Sequence, residues 1–289
     1  MTQFSGAVAA VTGAGSGMGR ALSLALARRG CHLALCDVDE PGLDQTAAEL
    51  QALRGRELRV TRHVVDVADQ AAVEDFARAA VTAHGRVHFV FNNAGVSLTG
   101  PVELLSYPDF HWLMNVNFWG VVHGSRSFLA HFREAGGGHI VNTSSVFGLI
   151  GVPTQSAYNA SKFAVKGFTD ALRAELDGSG VDVSCVMPGG VKTAIVRRSR
   201  YVMSENDAPT REDAAREFER LAGLTPDEAA ERILRGVARR RARILVGRDA
   251  RLIGFALRLI PVAYLRLMVL LQRRRRPARV PGETRQSGG

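Results

Sequence analysis

An α/β fold built on one doubly wound parallel sheet is what this 289-residue sequence predicts, on three observations. Short apolar runs alternate with longer amphipathic stretches along most of the chain. The runs are nearly continuous in apolar residues instead of alternating, as in strands that helices cover on both faces. A glycine-rich turn also separates the first run from the first amphipathic stretch, where such a sheet keeps its ligand crevice.

Six runs read as buried strands: Ala7 to Val11, His32 to Cys36, Leu58 to Val65, Val87 to Phe91, His139 to Asn142 and Val181 to Met187. Each is followed by a helical pattern, the order that parallel βαβ units require. The first helix follows the glycine turn and runs through Arg29, and Pro41 suits the first turn of the second. Another helical pattern spans Ser156 to Leu172. Thr225-Pro226-Asp227-Glu228 joins a threonine N-cap, a proline at the first helical position and a glutamate three residues after the cap, so a helix from about Pro226 to Arg240 is predicted. Residues 195–224 are polar around Tyr201, Val202 and Met203 and read as a mobile, partly helical lid. The result is a single catalytic-size domain over residues 1–248, with an apolar and basic helical extension over 249–289.

The formal net charge of +9 raises the question of a polyanionic partner. From Ala238 to Gly289 there are fourteen arginines against Asp249 and Glu283, a net +12; the rest, with 23 basic and 26 acidic side chains, nets −3. Basicity therefore belongs to the tail. A composition 46% hydrophobic and 22% charged excludes disorder and a collagen-like fibre. Cys31, Cys36 and Cys185 lie in apolar runs without a CxxC pair, which predicts buried thiols and no disulfide framework. With no charged segment leading into a long apolar core at the N-terminus, no signal peptide is expected, and a cytoplasmic location follows as the expectation.

The glycine turn, Thr12-Gly13-Ala14-Gly15-Ser16-Gly17-Met18-Gly19, lies between the first strand and its helix. Glycine there lets backbone approach a pyrophosphate, and the helix N-terminus supplies free N–H groups. Asp37 closes the second strand, where a carboxylate accepts hydrogen bonds from ribose hydroxyls and repels a 2′-phosphate. No Arg or Lys occupies positions 37–40, and Ser16 stands where a basic residue would grip that phosphate, so NAD is expected over NADP. Tyr158 and Lys162 stand four residues apart on a helical stretch and share a face, where an ammonium can favour the phenolate.

These residues resemble the short-chain dehydrogenase/reductase family at several points, in family order, over about residues 5–195. The family's TGxxxGxG is matched by Thr12 to Gly19, its Asp-Val by Asp66-Val67, and its NNAG by Asn92-Asn93-Ala94-Gly95. Its helix asparagine matches Asn117, its serine thirteen residues before the catalytic tyrosine matches Ser145, and its Tyr-xxx-Lys matches Tyr158 to Lys162. Pro188-Gly189 with Val191 and Thr193 completes the set. The resemblance implies a Rossmann-type domain and hydride exchange between NAD and a secondary alcohol or ketone. Tyr158 would be the general acid/base, Lys162 would lower its pKa and bind the nicotinamide ribose, and Ser145 would hold the substrate oxygen. Asn117 would hold a water linking Lys162 to solvent, and the segment 188–193 would meet the nicotinamide carboxamide. A homodimer or homotetramer is implied as well. The rival reading is a dinucleotide-binding sensor or scaffold without catalysis, against which the presence of all four catalytic types argues.

His84 and His88 are four apart but a glycine and a strand start intervene, so no metal site is expected. Tyr107, His111 and Trp112 suit either a subunit interface or a wall of the active site. In the tail, Leu252 to Leu271 is almost wholly apolar, interrupted by Arg258, Pro261 and Arg266, with Pro261 splitting it into two shorter helices. Two mid-segment arginines, each costing roughly 2.5–3.5 kcal/mol at a bilayer centre, argue against a membrane span. Three uses stay open: packing on the body, over the substrate pocket or at a subunit interface; contact with an anionic membrane surface; and nucleic-acid binding, which the lack of interleaved aromatics disfavours. An apolar tail hints at a lipophilic substrate.

Overall fold

In the computed structural model, which describes residues 3–53, 58–203 and 210–266, the predicted strands form one parallel sheet. In chain order they are β1 (Val8–Thr12), β2 (His32–Asp37), β3 (Val60–Val64), β4 (Phe89–Asn92), the short β5 (Leu98–Thr99), β6 (Gly138–Thr143), β7 (Val181–Pro188), the short β8 (Arg200–Tyr201) and β9 (Arg243–Val246). The main sheet runs β3-β2-β1-β4-β6-β7-β9, while β5 and β8 pair separately, also in parallel.

Alternation along each strand sends side chains to two cores. Ala9 and Val11 of β1 face α1 (Gly17–Ala27) and α8 (Pro226–Val237), joined by Leu33, Leu35, Phe91, Val186 and Val246. Val8 and Ala10 face the other way, with Val90, Ile140 and Val183, onto Phe76 of α3 (Gln70–His84), Phe128 and Phe132 of α5 (Gly120–Glu134) and Leu172 of α6 (Ser156–Glu175). Helices on both faces explain why these runs carry so few polar residues.

Local chemistry sets the helix starts. α2 (Glu40–Gln51) begins with Pro41 in its first turn and the Asp39 carboxylate accepting from the Gly42 N–H. Thr225 and Glu228 form a reciprocal capping box at α8, which ends at Val237, three residues before the predicted end; Arg240 then adopts φ 49°. In the expected lid, 195–224, β8 and the helix α7 (Arg211–Leu221) are present, and residues 204–209 lie outside the described residues.

Three features differ from the sequence reading. The third strand is shorter than Leu58 to Val65 and lies at the sheet edge, so Arg62 and Val64 are exposed. A seventh strand, β9, pairs with Cys185 to Pro188. The helix carrying Asn117 is interrupted: α4 (Tyr107–Met114) passes through a π-helical turn, Asn115–Trp119, before α5 begins. The extension agrees with the expected split at Pro261: it starts as α9 (Arg248–Leu259), with Pro261 just beyond its end and a further helical turn from 263. The rest of the predicted apolar run, and Arg273 to Arg276, lie outside the described residues.

Candidate active site

Strand order reverses between β1 and β4, so the connections leaving these two strands part at the C-terminal edge of the sheet and open a crevice there. The glycine turn follows β1. Gly13 has φ 68°, and a Cβ on it would stand 2.8 Å from the Ala94 Cα; a Cβ on Gly19 would stand 1.9 Å from the Gly13 carbonyl oxygen. Neither position admits another residue, so helix, turn and the Asn93–Gly95 segment are locked together. Thr12 makes the join, its Oγ1 accepting from the N–H groups of Asn93 and Ala94 at 3.0 Å each.

Ser16 precedes α1 without capping it, whereas Asp39, Asp69, Ser106, Thr210 and Thr225 each cap the helix they precede. The N–H groups at the start of α1 therefore lack a side-chain partner, and a helix N-terminus of that kind suits an anion. Met18 packs against the core beneath, and a Cβ on Gly17 would come within 3.3 Å of Thr193, which brings the segment after β7 to the turn. Asn93 Oδ1 is buried without a partner. At the end of β2, Asp37 accepts from the Asp39 N–H at 3.0 Å and from the Gly15 N–H at 2.8 Å. An uncapped helix start, a cradle closed to Cβ atoms, an orphaned amide oxygen and a carboxylate at the second strand fit a dinucleotide.

The catalytic candidates converge at the ends of β6 and β4. Ser145 follows β6, accepts from the Phe147 N–H at 3.1 Å, and stands beside the Tyr158 hydroxyl. Tyr158 and Lys162 project from α6; the Lys162 Nζ lies 5.6 Å from the centroid of the Tyr158 ring and donates to the Thr143 carbonyl at 3.1 Å. Lys162 is buried at 3% exposure, which pushes its ammonium down to about 8. A Cβ on Gly95 would meet Asn117 Oδ1 at 3.2 Å and Lys162 Nζ at 3.5 Å, so the chain passes closely over both side chains there. Asn117 is fully buried, accepts from the Val96 N–H and donates to the Val96 carbonyl and to Ser161 Oγ, which in turn donates to the Tyr158 carbonyl.

One expectation is corrected here. The phenol of Tyr158 is pushed up, to about 12, and not down: burial dominates, and the contact that works against it is the Ser145 hydroxyl. Lys162 has the Thr143 carbonyl as its hydrogen-bond partner and faces the ring, not the hydroxyl.

Other expected residues sit differently from the motif reading. The Asn92 side chain turns into the helix layer, donating to Asn142 Oδ1 at 2.8 Å and Ser125 Oγ at 3.2 Å. Asp66 is exposed in the turn after β3, where it accepts from the Ala68 N–H, and Val67 packs against Gly120. Pro188 ends β7; the Gly189 N–H then donates to the Val246 carbonyl, and Val191 bridges to Leu224. Trp112 joins an apolar cluster with Leu98, Leu113, Val202 and Tyr158, its ring covered by Arg200 at 3.8 Å, and so supports the active-site wall; Tyr107 stays exposed beside His111. His84 reaches Thr61, and His88 accepts from the Val8 N–H. A groove of about 520 Å³ between α3 and α5, lined by Arg78, His123 and Arg126 among others, lies on the helix layer and holds none of these residues.

Two residues that sequence reasoning missed hold the site together. Asn159, beside Tyr158, accepts from the Val152 N–H and donates to the carbonyls of Phe147 and Ile150, tying the segment after Ser145 onto α6. Asp249, in the first turn of α9, accepts from the Gly190 N–H at 2.7 Å and so fixes the segment after β7. Asn159 could have been suspected from its place inside the Tyr-xxx-Lys motif; for Asp249, 59 residues away in sequence, no local signal exists.

Comparison with known proteins agrees with this geometry. The family model for short chain dehydrogenase matches residues 7–202. SadH of Mycobacterium tuberculosis, provisionally named an oxidoreductase, is 46% identical over 270 residues, covering 93% of this chain and 96% of that one. A short chain dehydrogenase/reductase from Burkholderia phymatum, solved in complex with NAD, superposes with a TM-score of 0.78 at 34% identity over 98% of this chain and 100% of that one. An alcohol dehydrogenase from Thermococcus sibiricus, solved with 5-hydroxy-NADP, superposes with a TM-score of 0.68 at 28% identity, covering 82% and 93%.

Proposed function

This chain belongs to the short-chain dehydrogenase/reductase family, and from that premise we propose that it interconverts a secondary alcohol and a ketone, with NAD preferred over NADP and Tyr158 as general acid/base. One observation carries the reading: the Tyr158 hydroxyl meets Ser145 at the sheet's C-terminal edge while the buried Lys162 ammonium faces the same ring.

The bound dinucleotide supplies the hydride chemistry. Gly13, Ser16, Gly17, Met18, Gly19 and the uncapped start of α1 would hold its pyrophosphate, and Asp37 its adenosine ribose, with Asp66 and Val67 toward the adenine. Asn93, Ala94, Gly95 and the segment Pro188, Gly189, Val191, Thr193 would flank the nicotinamide half; Asn92 would contribute backbone alone, since its side chain is engaged in the helix layer.

With its pKa near 12, Tyr158 keeps its proton at neutral pH and gives it to a carbonyl oxygen in the reductive direction. Ser145 donates to that oxygen and stabilises the negative charge developing on it. In the oxidative direction the phenol must lose its proton, and the Ser145 hydroxyl, the contact that works against burial, favours the phenolate. The Asn117 side chain is taken by Val96 and Ser161, so a water relayed to Lys162 would rest on its backbone carbonyl. Trp112 and Val202, partly exposed beside Tyr158 over the buried Leu98 and Leu113, suit a lipophilic substrate.

The test follows NADH formation against a panel of hydrophobic secondary alcohols, with NADP in parallel. Turnover with NAD in preference to NADP is expected. Measurable NAD binding without turnover across the panel would contradict the reading and favour a dinucleotide-binding sensor.

A further inference from the structure

Six large apolar residues are exposed within fourteen positions at the end of the described chain: Leu252 (68%), Phe255 (62%), Leu259 (67%), Ile260 (39%), Val262 (70%) and Leu265 (45%). At about 100° per residue, Leu252, Phe255 and Leu259 fall within an arc of roughly 60° on α9. Ala250, on the opposite side, is fully buried against the body. Arg251 and Arg258 border the apolar arc, and Arg248 and Arg266 stand near its two ends; all four are exposed, and none forms an ion pair among the described residues. The chain after residue 266 adds six more arginines against Glu283.

We propose that this face of α9 and the turn after it docks on the surface of a lipid bilayer carrying anionic headgroups. An exposed apolar stripe bordered by unpaired arginines is the pattern of a helix lying in the interface plane, with apolar side chains below the headgroups and guanidinium groups on the phosphates. Charge decides among occupants. A second copy of the same patch would set arginines against arginines as its apolar residues met, whereas anionic headgroups neutralise them. Length decides the mode: α9 has twelve residues against the ~20 needed to span, and among the described residues no helix is long and apolar enough to cross a membrane.

The surface is fastened to the rest of the molecule beside its reactive residues. Asp249 accepts from the Gly190 N–H, and the Tyr264 hydroxyl accepts from the Gly151 N–H at 3.0 Å, in the segment joining Ser145 to Tyr158. A docked bilayer would therefore lie next to the substrate side of the crevice.

Flotation of the full chain with vesicles of phosphatidylcholine, alone or mixed with phosphatidylserine, tests this independently of turnover. The protein should float with the mixed vesicles and at least tenfold less with phosphatidylcholine alone. The triple variant Leu252→Asp/Phe255→Asp/Leu259→Asp and the pair Arg251→Glu/Arg258→Glu should each reduce recovery at least tenfold while retaining NAD binding, which reports an intact body. Wild-type protein that stays at the bottom overturns the proposal, as does a triple variant that floats like wild type. A triple variant that changes oligomeric state in sedimentation while wild type ignores vesicles assigns the face to a second copy instead.

Discussion

Asp37 does two jobs at the end of β2. Its two oxygens accept from Gly15 and Asp39, so the carboxylate is both shaped by the glycine turn and held against it. Among the described residues no arginine pairs with Asp37: Arg198 goes to Asp39 at 3.4 Å, and Arg20 to the Gly15 carbonyl at 2.6 Å. A 2′-phosphate placed beside Asp37 would meet fixed negative charge in a partly enclosed site, where like charges repel more strongly than in water. Asp37→Asn keeps the shape and removes the charge, so the ratio of NADP to NAD Michaelis constants should fall at least tenfold; an unchanged ratio contradicts the assignment. Residues whose chemistry is local, such as Tyr158 and Lys162 one helical turn apart, were legible in the sequence. Asp249 was not, because its partner Gly190 reaches it only through the pairing of β7 with β9.

β6 carries a buried titratable group, His139, whose Nε2 shares a hydrogen bond with Ser184 Oγ at 2.8 Å. Burial pushes its imidazole down to about 3, and burial followed by nearby cationic groups holds His84, at the end of α3, at about 4. Below about pH 6.5 the unfolded chain takes up protons on these residues that the folded chain refuses, so stability falls as pH drops from there toward 4. Urea midpoints at pH 7 and pH 5 should show this loss, and His139→Gln should shrink it; an equal loss in the variant would contradict the account. Five of the six predicted strands were legible because helices cover both their faces and leave little room for polar residues; β3, at the sheet edge, carries Thr61, Arg62 and His63 and was read too long. β9 escaped notice because it is four residues long, begins with an exposed Arg243 and lies at the sheet edge, where an apolar run is not required. The two-residue strands β5 and β8 exist only through their mutual pairing, and the π-helical turn at Asn115–Trp119 leaves no mark on a period close to that of an ordinary helix.

At the scale of the molecule, charge and chemistry are separated. The mildly acidic body places the glycine turn, Asp37, Ser145, Tyr158 and the segment after β7 at one edge of its sheet, while the basic tail begins with a helix fastened to that edge by Asp249 and Tyr264. The central claim is that the phenol of Tyr158 moves the proton. Tyr158→Phe removes one hydroxyl from a packed ring and leaves the glycine turn untouched. The decisive measurement pairs an NAD titration of this variant with its kcat/KM on an alcohol that the wild type oxidises. NAD affinity within about twofold of wild type, with kcat/KM lower by roughly 10²–10⁴ or more, is the predicted result; turnover close to wild type would contradict the account.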